Sequence, residues 1–147
     1  MLENIRDIFA ILHDGTIVSW QGDKTLLTLT VSCAYLAKRI NPMFEDFIIE
    51  INLVNVLSFS TWPNPFNLPV QLLTKAEEIF KLPLQLLYSE IKNNAVEIEC
   101  SIYDDDFDYC GGILMLSCNQ IKIYDQERNE LTVEALDIIC KEYWAGR

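Results

Sequence analysis

The chain of 147 residues carries 22 acidic and 11 basic side chains, which gives a formal net charge of −11 at pH 7. Nucleic-acid backbones and anionic lipid surfaces are bound through clustered Lys and Arg, so this balance argues against both as partners. A basic protein, a cation or a neutral small molecule remains compatible with it. Half of the residues are apolar, and one domain of this length can bury a core without metal or disulfides.

The negative charge is concentrated in the second half of the chain. Residues 1–75 hold seven acids and five bases, whereas residues 76–147 hold fifteen acids and six bases. We therefore expect surfaces built by the second half to meet any charged partner.

Three features predict a cytoplasmic location. The N-terminus, Met1–Asp7, carries acids where a secretion signal needs a basic start, and no apolar run approaches about 20 residues, the length of a membrane span. Five cysteines are an odd number with no C-x-x-C pair, which is typical of reduced thiols; they are Cys33, Cys100, Cys110, Cys118 and Cys140.

Apolar periodicity in the first half predicts a helix over residues 2–12, ended by a left-handed Gly15. Strands are predicted over residues 16–20 and 27–33, and residues 34–40 fit a helical turn. Two more strands are predicted over residues 47–54 and 56–61. The prolines of residues 62–69 then break regular structure.

In the second half, Thr74 and Glu77 have capping-box spacing and predict a helix over residues 75–80. Residues 84–91 fit a strand or a helix, and we favour a strand. Asn93-Asn94 indicates a turn, after which residues 96–102 alternate cleanly and place acidic side chains toward water. Strands are predicted over residues 113–118 and 120–124, and Thr132 is expected to cap a final helix.

Because predicted strands follow one another as hairpins, the sheet should be mainly antiparallel. The sequence thus predicts a single α+β domain over residues 1–147. It should contain a mainly antiparallel sheet of seven or eight strands, with N-terminal, central and C-terminal helices.

His13 is the only histidine, so any Ser-His-Asp or Cys-His mechanism must use it, with Asp14 or a distant acid to orient it. The structural alternative is that His13 lies at a helix C-terminus, where its charge suits the dipole, and that Asp14-Gly15 forms a turn.

The segment from Tyr103 to Tyr109, called the acidic loop below, is the main candidate for partner binding. Carboxylates suit a hard cation, but the segment lacks the glycine and the closing glutamate of an EF-hand loop. We expect an exposed hairpin connection that contacts a basic partner and holds no metal; its candidate residues are Asp104, Asp105, Asp106, Phe107, Asp108 and Tyr109.

Trp62 and Phe66, with the prolines around them, form either a rigid apolar lip for a partner or ligand, or a cover over one end of the core. Cys110-Gly111-Gly112 is not a phosphate loop, because no Lys-Ser/Thr pair follows it. Its glycines indicate a bulge or a close approach between strands.

An N-terminal helix that leads into Leu12-His13-Asp14-Gly15-Thr16-Ile17, followed by antiparallel strands in a small acidic chain, resembles several uncharacterised bacterial families. Some of these are predicted immunity proteins of toxin systems. The likeness covers about residues 1–60. It implies a non-enzymatic protein and no catalytic residue.

These observations favour a cytoplasmic, non-catalytic protein-binding domain with an acidic surface for a basic partner, and the resemblance adds an immunity-like role as one form of it. One alternative is a small enzyme or ligand-binding domain with a pocket near His13, and another is a homo-oligomeric structural subunit such as a homodimer. With one histidine, scattered cysteines and no glycine-rich nucleotide loop, we expect no metal, flavin or dinucleotide cofactor.

Overall fold

A computed structural model describes residues 1–63, 69–104, 107 and 109–146. Within these residues the chain forms four helices and eight strands, in the order α1 (Leu2–Ile11), β1 (Thr16–Gly22), β2 (Leu26–Ser32), α2 (Ala34–Ile40), β3 (Asp46–Thr61), β4 (Leu72–Leu73), α3 (Ala76–Ile79), β5 (Leu84–Lys92), β6 (Ala95–Ser101), β7 (Gly111–Tyr124), β8 (Glu130–Leu131) and α4 (Val133–Ala145).

All strand pairs in the described residues are antiparallel, in the order β4-β3-β2-β1-β5-β6-β7-β8, and β3 also pairs with β7. The pairing of β3 with β7 and the short pairing of β1 with β5 close six strands into a ring. This architecture confirms the predicted α+β class, with its mainly antiparallel eight-stranded sheet and its N-terminal, central and C-terminal helices.

One face of the sheet carries the core. Alternate side chains of β2, β3, β6 and β7 are fully buried, including Leu29, Ile49, Ile98 and Leu114. Helix α1 packs against β5, β6 and β7, and its buried face joins the same core. Burying each such side chain contributes about 1.5–3 kcal/mol.

The predicted break between residues 47–54 and 56–61 is wrong, because both segments belong to β3. A register shift between Val54 and Val56, next to a positive φ of 51° at Leu53, bends the strand without ending it. Likewise, residues 113–118 and 120–124 form the single strand β7. Asn119 lies opposite the bend, where its Oδ1 accepts a hydrogen bond from Asn55 Nδ2 at 3.0 Å.

Two predicted helix ends also differ. Thr74 does not cap α3; the N-cap is Lys75, where the backbone is still extended, with φ of −103° and ψ of 136°. The left-handed residue after α1 is Asp14, with φ of 67°, and not Gly15. Gly15 is required for a different reason, since a Cβ there would lie 2.8 Å from the Leu12 carbonyl oxygen.

The predicted cap of α4 is confirmed, since the Thr132 hydroxyl accepts a hydrogen bond from the Ala135 N–H at 3.0 Å. Among the described residues, no helix combines the length and the apolar character needed to cross a lipid bilayer.

Candidate functional site

The acidic loop connects β6 to β7, which are neighbours in the sheet. Its base is held by a hydrogen bond from the Ile102 N–H to the Cys110 carbonyl at 2.8 Å. The Phe107 N–H donates to the Asp104 carbonyl at 3.1 Å, and Asp104 is exposed. Asp105, Asp106 and Asp108 lie outside the described residues.

The segment after β3 lies beside this loop, although the two are far apart in the sequence. The Trp62 N–H donates to the Gly111 carbonyl at 2.9 Å, and the Tyr109 hydroxyl donates to the Pro69 carbonyl at 2.6 Å. A Cβ on Gly111 would overlap the Trp62 ring and the Cys100 carbonyl, so the glycine is there for close approach. The structure thus brings Trp62 to the same end of the sheet as the acidic loop; Phe66 lies outside the described residues.

The aromatic residues of this end differ in exposure. Phe107 packs against the core, and Trp62 and Tyr109 are partly buried. Phe107 and Tyr109 also line a cleft of about 300 Å³ with residues of β4 and α3. Tyr103, in contrast, is 80% exposed, so it is the most solvent-accessible of the described aromatic side chains at this end.

The outward face of the β5–β6 hairpin carries further negative charge along the two strands, and Glu90 and Glu97 lie toward the turn at the opposite end of β6 from the acidic loop. We call this outward face the acidic face; it consists of Tyr88, Glu90, Glu97 and Glu99. Glu90 and Glu97 are directly opposite each other in the strand register, as are Tyr88 and Glu99. The acidic face continues along β6 into the acidic loop, because β6 ends at Ser101 and the loop follows.

Among the described side chains, few ion pairs compensate the negative charge of the acidic face. Lys92 lies 3.9 Å from the Glu97 carboxylate, and both side chains are partly exposed. Neither Glu90 nor Glu99 has an ion pair within the described part of the chain. The hairpin therefore keeps two uncompensated carboxylates on one side.

Sequence reasoning identified the outward glutamates of β6 but not Tyr88 or Glu90. The turn between the two strands is the sequence signal that could have identified Tyr88 and Glu90. Asn93-Asn94 is a two-residue turn, in which Asn93 has a positive φ of 58°, and it pairs Lys92 with Ala95. Counting outward from that turn places Glu90 opposite Glu97.

His13 follows α1 and is partly buried. Its Nδ1 donates to the Ala10 carbonyl at 2.9 Å, its ring stacks on Trp144 with centroids 5.7 Å apart, and its carbonyl accepts from the Tyr35 hydroxyl at 2.8 Å. The Asp14 carboxylate makes no hydrogen bond to the ring within the described residues. This arrangement corresponds to the helix-end alternative, and it leaves Nε2 as the only ring nitrogen free to act as a base.

The thiols near His13 are not activated. Burial raises the pKa of Cys33 to about 12, and burial also raises the pKa of Cys140. Both thiols therefore stay protonated at neutral pH, whereas a nucleophilic cysteine needs a lowered pKa. The surroundings of His13 supply no geometry for a Cys-His pair.

Within the described ranges, no three His, Cys, Asp or Glu side chains are grouped so that they could hold a metal ion. The described carboxylates of the acidic face are arranged along two strands, a geometry suited to an extended basic surface.

Comparison with known proteins gives no relative: no protein-family model, curated protein or solved structure matches the chain.

Proposed function

We propose that this chain is a non-catalytic protein-binding domain whose acidic face and acidic loop contact a basic surface of a partner protein. The observation that carries the proposal is the placement of Glu90 directly opposite Glu97 on an exposed hairpin. Like charges at such positions destabilise an isolated sheet. A partner that supplies positive charge would convert that repulsion into attraction.

The two exposed tyrosines support the same surface. Tyr88 is 55% exposed and lies opposite Glu99, and Tyr103 is 80% exposed beside Asp104. Tyrosine provides a large apolar area and a hydroxyl at a low cost in conformational entropy, so it is enriched in protein interfaces. Carboxylates next to tyrosines therefore combine long-range steering with short-range contact.

The surroundings of His13 favour this function over the enzyme alternative. The Nδ1 of His13 is hydrogen-bonded to a backbone carbonyl, and the pKa values of the neighbouring Cys33 and Cys140 thiols are raised. A binding protein should keep its function when His13 is replaced, whereas an enzyme that uses His13 should lose it.

As a specific form of the proposal, we suggest an immunity-like role, in which the basic partner is a toxin domain. The support is the sequence resemblance over about residues 1–60 together with the acidic face. A toxin gene beside the gene for this chain would support this form, and its absence would leave only the general proposal.

The test is affinity purification from source cells, with three baits that differ only in neutralised carboxylates. The first is the wild type, and the second combines Glu90→Gln, Glu97→Gln and Glu99→Gln. The third, a control of equal charge change, combines substitutions at three exposed acids elsewhere: Glu127→Gln, Glu134→Gln and Glu142→Gln.

We expect a basic partner that the wild type and the control retain and the acidic-face variant loses. Its affinity for the purified wild type should fall as salt is added, because exposed charges are screened. A partner retained equally by all three baits, or one whose affinity is insensitive to salt, would contradict the proposal.

A further inference from the structure

A small pocket lies where the acidic loop meets the seam that closes the ring of strands. Its volume is about 210 Å³, and it is lined by Thr16, Pro83, Gln85, Tyr103 and Asp104. Thr16 and Gln85 are paired across β1 and β5. The floor of the pocket is therefore part of the sheet, and the wall comes from the loop.

The wall is positioned by backbone contacts. The Asp104 carbonyl accepts a hydrogen bond from the Phe107 N–H. The N–H of Ile102, just before Tyr103, donates a hydrogen bond to the Cys110 carbonyl. Pro83 restricts the chain where it enters β5. These contacts place an exposed aromatic ring and an exposed carboxylate beside two polar side chains of the sheet.

These groups match the chemistry of one side chain. A guanidinium group stacks on an aromatic ring, donates two parallel hydrogen bonds to a carboxylate, and can donate others to amide and hydroxyl oxygens. An ammonium group is a point charge and gains less from the flat ring. A hard metal ion needs six or more oxygen ligands, whereas the described residues that line this pocket include one carboxylate.

We propose that this pocket binds a single arginine side chain of the partner protein. The proposal rests on the proposed function and refines it, because it names the residue that the basic surface must present. Tyr103 stacks on the guanidinium, Asp104 pairs with it, and Thr16 and Gln85 accept its remaining hydrogen bonds. The neighbouring Glu99 of the acidic face adds attraction at longer range.

The test uses N-acetyl-arginine amide as a probe, with N-acetyl-citrulline amide as its uncharged isostere. Each is titrated into the isotopically labelled full chain, and backbone amide shifts are followed by NMR. We expect the arginine probe to shift the amides of Thr16, Gln85, Tyr103 and Asp104, with half-saturation on the order of a few millimolar. The citrulline probe should leave them in place.

Four variants test whether the arginine probe binds in this pocket. Asp104→Asn should weaken the arginine probe at least about fivefold, because it removes the charge from the hydrogen bonds. Tyr103→Ala should weaken it about threefold, and Tyr103→Phe should not, because the ring is kept. Glu134→Gln, on α4, is the control for charge and should bind the probe as the wild type does.

Several outcomes would overturn the proposal: equal shifts with citrulline, shifts confined to residues outside the pocket, or unchanged binding in Asp104→Asn. If the probe fails while the acidic-face variant still loses its partner, the arginine pocket is wrong and the proposed function stands. If the probe binds in the pocket but no basic partner is recovered, the proposed function fails and the arginine site remains.

Discussion

Replacing Glu90 with glutamine should stabilise the isolated protein, although the proposed function requires the same change to weaken partner binding. Cβ atoms of directly opposite residues lie about 4.5–5.5 Å apart, and two carboxylates about 6 Å apart in water repel each other by about 0.7 kcal/mol. Lys92, 3.9 Å from Glu97, already offsets part of this repulsion. We expect Glu90→Gln to raise the free energy of unfolding by about 0.5 kcal/mol.

The assay is urea unfolding and thermal melting at low salt and in 1 M NaCl. For a domain of this size, the gain corresponds to an increase in melting temperature of about 1–2 °C. It should vanish in 1 M salt, where the screening length is about 3 Å. Glu97→Gln should change stability less, because it also removes the ion pair with Lys92.

Glu134→Gln provides a matched control with the opposite expected sign. Glu134 lies in the first turn of α4, where a negative charge interacts favourably with the helix dipole. Its loss should cost about 0.3–1 kcal/mol at low salt. If Glu90→Gln destabilises the protein, or if its gain in stability persists in 1 M salt, then Glu90 and Glu97 do not repel each other as their opposite positions in the strand register imply.

Four further predictions concern the acidic-loop end of the sheet and the core. Gly111→Ala should destabilise the protein by about 1–3 kcal/mol in urea unfolding and alter Trp62 fluorescence, because the new Cβ meets that ring; Gly146→Ala, whose Cβ would have no atom nearer than 3.6 Å, should change little, and equal effects would refute the close approach. Replacing all four aspartates of the acidic loop with Asn should leave the melting temperature unchanged or slightly raised, because the sequence predicts an exposed loop and exposed charges contribute under about 1 kcal/mol each, and should slow association with the proposed basic partner; a large loss of stability would show that these carboxylates are buried or bind a cation. Cys110, which is exposed, should react with an aromatic disulfide reagent at pH 8 before the buried Cys33 does. Because the pKa of Cys33 is raised from 9.0 to about 12 in the fold, its contribution to stability is complete below pH 9 and is lost as the pH rises from 9 to 12; Cys33→Ala should reduce that alkaline loss in pH-dependent melting, and an unchanged profile would contradict it.

Local sequence patterns were enough to predict much of the fold. Alternation over residues 27–33 and 96–102 identified β2 and β6, because a sheet with one buried face repeats every two residues. Periodicity identified α1, and the Thr132 hydroxyl marked the start of α4. Strands in succession were enough to predict an antiparallel sheet, since hairpins need only short turns.

Only the tertiary structure showed that β3 and β7 are continuous. Each changes neighbours along its length, and the bend that permits this at Leu53 and Asn119 looks in the sequence like the end of a strand. The predicted Thr74 cap was also wrong, because the backbone is still extended at Lys75, one residue beyond it.

The features of the candidate site can likewise be divided into those that the sequence determines and those that depend on the tertiary structure. The sequence by itself determined the net charge, its concentration in the second half and the acidic character of the loop, because these depend on composition and order alone. The adjacency of Trp62 to Gly111, the placement of Gln85 beneath Tyr103 and the closure of β1 on β5 were decided by tertiary structure. Each joins segments far apart in the chain, and such contacts depend on how the whole sheet bends and closes, which no local pattern records.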